Sequence, residues 1–170
     1  MSQQIGRHCE RPAWLGFVIT VLSIAGGSVL AVAGPTVARL ELRDFTVRGL
    51  KEGMNLAEVQ AVLGPPEGTI RKSDHGPGLE VSGWAFGELW VMAADSHSVT
   101  GFELRGPKYK TFRGLSVGDS VERIRNLYGT PDSLEHDTWF FYGPGNDRYH
   151  VLKIEVEAKK VTEIFLGWDL

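Results

Sequence analysis

The sequence predicts an α+β fold: two tandem repeats of short helices packed on an antiparallel β-sheet, preceded by an N-terminal apolar helix. Three observations carry that expectation. An uncharged run lies near the start of the chain, a helix-forming stretch recurs at a constant offset of 65 residues, and a strand-forming stretch recurs at an offset of 62. The chain has 170 residues, 42% hydrophobic and 23% charged, which is the composition of an ordinary globular protein. A net charge of −3 argues against a phosphate-binding surface spread over the whole molecule, while leaving room for a local basic patch. The single cysteine, Cys9, excludes an internal disulfide and a cysteine-based zinc site.

From Ala13 to Gly34 no residue is charged, and Arg7 and Arg11 precede the run. Such a segment is either an export signal cleaved after Ala31-Val32-Ala33 or an uncleaved membrane anchor, since about 20 residues span a bilayer core. Both readings leave the Arg residues cytoplasmic and place the remainder outside the cytoplasm, periplasmic or secreted. The expected organisation is a signal or anchor over 1–33, a first repeat with a leading strand over 34–107, and a second repeat over 108–170. Residues 1–33 hold two Arg and one Glu, so the exported part carries 16 basic and 20 acidic side chains.

Residues 37–47 precede the first repeat with Leu40, Leu42, Phe45 and Val47, and are expected to add a strand. Residues 48–67, RGLKEGMNLAEVQAVLGPPE, then align with 113–132, RGLSVGDSVERIRNLYGTPD, with Arg48/Arg113, Gly53/Gly118, Gly64/Gly129 and Pro66/Pro131 among the identities. Apolar pairs Leu56/Val121, Val59/Ile124 and Val62/Leu127 supply the buried stripe of a two-turn helix. Asn55 and Ser120 stand where an N-cap belongs, and Glu58 completes a capping box after Asn55. Gly64 and Gly129 end the helices, followed by prolines that forbid continuation.

Strand-like runs follow each helix. Leu79–Phe86 and Thr138–Tyr142 are expected strands, and 89–104 and 151–166 are expected hairpins turning at Asp95–Ser98 and Glu157–Lys160. Val99/Val161, Thr100/Thr162 and Leu104/Leu166 are identical between the two hairpins. A repeat of roughly 60 residues buries too little surface to be stable alone, so the two are expected to share a continuous sheet or core.

The stretch Gly-Met-Asn-x-x-Glu-Val-x-x-x-Leu-Gly-x-Pro, Gly53 to Pro66, resembles the repeat of SmpA/OmlA-type envelope-assembly lipoproteins and of the β-lactamase inhibitory proteins. The second copy departs from it, with Gly118-Asp119-Ser120 in place of Gly-Met-Asn. The resemblance implies short helices on one face of an antiparallel sheet and a protein-binding role, of assembly or inhibitor type. Cys9 lies before the apolar run, so no lipid-modified cysteine follows it.

Chemistry-bearing residues are sparse. His75, His97, His136 and His150 are the histidines beyond the apolar run, and none shows a metal-binding spacing. There is no GxSxG elbow and no phosphate-binding loop. A small hydrolase or metal-dependent enzyme built on His75 or His136 is the alternative to a non-catalytic module, for which no cofactor and no catalytic residue are expected. Strand alternation points instead to an aromatic surface. If Leu152, Ile154, Val156, Thr162, Ile164, Leu166, Trp139 and Phe141 face the helices, then Phe140, Tyr142, Tyr149, Lys153 and Phe165 lie on the opposite face. Aromatic side chains with a charge among them are typical of a protein-binding patch, and a protein partner is the expected ligand.

Overall fold

The computed structural model describes residues 39–72, 81–94, 98–144 and 150–168. The N-terminal apolar helix and the signal or anchor over 1–33 lie outside them. Among the described residues no helix is long and apolar enough to cross a membrane.

The expected α+β class is corrected by what is found. The described residues form mainly one eight-stranded antiparallel sheet, with only two α-helices among them, of eight residues each. The strands are β1 (Gly68–Lys72), β2 (Val81–Phe86), β3 (Leu89–Ala94), β4 (Ser98–Leu104), β5 (Ser133–Glu135), β6 (Thr138–Tyr142), β7 (His150–Glu157) and β8 (Lys160–Trp168). The helices are α1 (Leu56–Leu63) and α2 (Val121–Tyr128). Strand order is β1-β2-β3-β4-β8-β7-β6-β5, two four-stranded meanders joined where β4 pairs with β8. The sheet outgrows the expectation because β1 and β5 are edge strands with the sequences GTIRK and SLE, too short and polar to signal themselves. In place of the expected strand over 37–47, the described residues from 39 on form a 3-10 turn at Leu42–Phe45, because the Asp44 carboxylate accepts the Glu41 backbone N–H and closes a tight turn.

Each helix forms for a local reason. The Asn55 and Ser120 side chains accept the N–H groups of Glu58 and Arg123, and Glu58 returns the bond to the Asn55 N–H. At the other ends Gly64 and Gly129 take φ values of 85° and 79°, which a side chain would disfavour. The helices are too short to persist alone. Val59, Val121, Ile124 and Tyr128 anchor them on two apolar rows that cross six strands. One row is Trp84, Val91, Phe102, Leu166, Leu152 and Phe141; the other is Phe86, Leu89, Leu104, Ile164, Ile154 and Trp139. All twelve are buried in the core, each contributing roughly 1.5–3 kcal/mol by burial.

The sequence identities recur as matching contacts. Gly53 N–H donates to Val99 O at 2.9 Å and Gly118 N–H to Val161 O at 2.8 Å, so each helix lead-in is tied to its own hairpin by the same backbone bond. Register shifts place Ala93 opposite Val99 and Val156 opposite Val161, leaving Thr100 and Thr162 as the extra residues of two equivalent bulges. The bulge overturns one assignment: Thr162 is exposed, and Val161 packs in the core in its place.

The segments leading into the two halves are exchanged. Residues 39–47 dock on the second half, where Arg113 donates to both Asp44 oxygens at 2.7 Å and to Arg39 O at 2.9 Å. Residues 105–111 dock on the first half, where the Tyr109 hydroxyl donates to Phe86 O and the Lys108 N–H to the Glu88 carboxylate.

Candidate functional site

The face of the sheet away from the helices carries the residues that sequence alternation selects. Phe140, Lys153 and Phe165 stand directly opposite one another on β6, β7 and β8. The Lys153 ammonium lies 5.8 Å from the Phe140 ring centroid and 5.6 Å from that of Phe165, so one cation bridges two aromatic faces. Tyr142 is on the same face, opposite Val151, and its backbone N–H donates to the Asp132 carboxylate. Tyr149 lies outside the described residues.

The same cross-strand row continues into the first half. Phe165 is opposite Glu103 on β4, and Glu103 is opposite Trp90 on β3. Arg105 sits over the Trp90 ring at 4.1 Å from its centroid, with Nε 3.5 Å from Glu103 and 3.6 Å from Glu163. With strands about 4.8 Å apart, the row from Trp90 to Phe140 is roughly 19 Å long. Trp90, Phe165, Lys153 and Phe140 are half-buried, whereas Glu103 is only 2% exposed beneath its neighbours.

The seam between β4 and β8 is unusually close. Gly101 is opposite Gly167, and a Cβ on Gly167 would lie 2.5 Å from Gly101 Cα. The Phe165 ring covers Gly101, reaching within 3.2 Å of where its Cβ would be. Strand alternation also puts Glu163 on the open face beside Phe165, whereas Trp90, Glu103 and Arg105 were not singled out by sequence. Extending the alternation to Phe102-Glu103-Leu104 would have found them, since a carboxylate between two core residues must point to the other face.

The histidines divide. His136 is exposed at the turn between β5 and β6 with φ 54°; His75 and His97 lie outside the described residues. His150 is the built-in one. Its Nε2 is 2.9 Å from a Glu52 carboxylate oxygen and receives the Trp168 indole N–H at 3.1 Å, while its ring packs 5.3 Å from Phe45. These groups adjoin a crevice of about 350 Å³ lined by Leu42, Arg43, Phe45, Lys51, Glu52 and His150. Among the described residues no group of three or more His, Cys, Asp or Glu is placed to hold a metal ion.

A second cleft of about 600 Å³ lies between the end of α2 and β5, where the Arg125 guanidinium sits 5.3 Å from the Trp139 ring centroid. Beside it, on the helix side, burial pushes the Tyr128 hydroxyl up to about 12; that hydroxyl donates to Thr111.

No protein-family model matches the chain. No curated protein matches it either. The crystal structure of the uncharacterized protein yfeY from Escherichia coli is similar at a TM-score of 0.48 and 11% identity, covering 76% of this chain and 99% of that one.

Proposed function

We propose that this protein is a non-catalytic, extracytoplasmic binding module of the bacterial cell envelope that holds a protein partner on the open face of its sheet. The observation that carries the reading is the row of Phe140, Lys153, Phe165 and Trp90 across one face. Half-buried aromatic rings on rigid strands present large contact areas at small conformational cost, and desolvated aromatic side chains dominate binding energy in protein interfaces. Of the cations stacked on the rings, Lys153 bridges Phe140 and Phe165 while Arg105 lies between the carboxylates of Glu103 and Glu163, giving the patch an electrostatic pattern that can select a partner. The resemblance of Gly53–Pro66 to the SmpA/OmlA-type and β-lactamase inhibitory repeats supports an assembly or inhibitor role on the same grounds.

Capture of envelope proteins by the intact chain tests the proposal. Phe140→Ala and Phe165→Ala are expected to lower affinity for the captured partner by about 2 kcal/mol or more each, the loss typical of a central aromatic anchor. Unchanged capture by folded variants would refute the assignment of this face.

A further inference from the structure

We infer that a second surface, formed by the two exchanged lead-in segments, docks on an anionic phospholipid bilayer. Charge is unevenly distributed along the chain. Residues 39–52 and 106–114 contain seven of the 16 basic side chains beyond the apolar run and only three of the 20 acidic ones. The fold brings the two segments together: Arg113 binds Asp44 and Arg39 O, and the Arg43 guanidinium lies 5.5 Å from the Phe112 ring centroid. A mildly acidic domain therefore places Arg39, Arg43, Lys51 and Arg113 around Leu42 and Phe112.

That region also exposes large apolar side chains. Leu42 is 62% and Phe112 54% exposed, beside exposed Arg39, Arg43, Lys51 and Lys110. Glu41 pairs with Arg43 of the same segment at 3.1 Å, and seven basic side chains stand against three acidic ones across the two segments. Asp44 is buried in its pair with Arg113. Apolar tips within a basic rim match the bilayer interface, where side chains enter the acyl boundary while Lys and Arg meet anionic headgroups. Leu42 follows the uncharged run Ala13–Gly34 by only eight residues, so a chain held by that run would carry this surface to the membrane. The surface is separate from the open sheet face and stands or falls independently of it.

The single cysteine makes a clean test possible. In the full chain, Cys9→Ser with Leu42→Cys is labelled with an environment-sensitive fluorophore, and a second version carries the label at Leu134→Cys on the exposed edge strand β5. Both are bound to vesicles of equal phosphatidylglycerol and phosphatidylcholine, and to phosphatidylcholine alone. The expected result is a blue shift and several-fold stronger quenching by brominated lipid at site 42 than at site 134. That difference should need phosphatidylglycerol and shrink with salt or with Arg43→Gln and Lys110→Gln together. The inference is overturned if site 42 stays aqueous on anionic vesicles, if neutral vesicles give the same signal, or if the shift appears without lipid as protein concentration rises, which would mark self-association.

Discussion

Arg113 shows how one residue can be visible in sequence and its role invisible. Its equivalent in the first repeat is Arg48, an identical residue that is exposed at φ 53°. Only Arg113 meets a carboxylate, that of Asp44, which is 69 positions away and contributed by the exchanged lead-in. The guanidinium also donates to Leu127 O and lies 5.2 Å from the Tyr128 ring centroid, and the Asp44 bond holds its pKa above the ordinary value. Removing one partner of a buried pair strands the other charge, so Asp44→Asn is expected to lower stability by about 3–5 kcal/mol in urea unfolding. An apolar pair at both positions should recover much of that loss. Tyr128 gives a pH signature at the same place. Its proton is held more tightly in the folded state, about 12 against about 10 unfolded, so its contribution is constant below pH 10. Between about pH 10 and 12 stability should fall by roughly 1.4 kcal/mol per unit, and Tyr128→Phe should flatten that slope in alkaline unfolding.

The elements were legible where local chemistry defines them. Helix starts at Asn55 and Ser120 and stops at Gly64 and Gly129 are written in side chains that act within four residues, and the structure places the caps there. Ser120→Ala is expected to lower stability by about 1 kcal/mol, measured by thermal unfolding, because α2 loses the acceptor for the Arg123 N–H. Features set by pairing were not legible. The bulges at Thr100 and Thr162 arise from register between strands, so the alternation that correctly separates Ile164 and Leu166 from Phe165 fails two residues earlier. The edge strands were missed for a related reason: β5 owes its existence to β6 beside it and not to its own three residues. For the open face, alternation brought Phe140, Lys153 and Phe165 together but could not show that Trp90 and Glu103 lie in the same row.

At the scale of the whole molecule the two halves depend on one another through the β4–β8 pairing and the exchanged lead-ins. A fragment ending at 107 lacks Arg113, and one starting at 108 lacks Asp44, Phe45 and the β4 edge. Residues 34–107 and 108–170 produced separately are therefore expected to lack cooperative unfolding, and mixed together to regain a sheet-type circular dichroism spectrum. The seam has a kinetic consequence. Every other strand pair joins neighbours in sequence, whereas Gly101 reaches Gly167 across 66 residues, so hairpins can form in microseconds while this closure carries the largest loop entropy. Until it closes, β4 and β8 are transiently unpaired apolar edges, and the rate at which the glycine seam zips sets how long the nascent chain is open to aggregation.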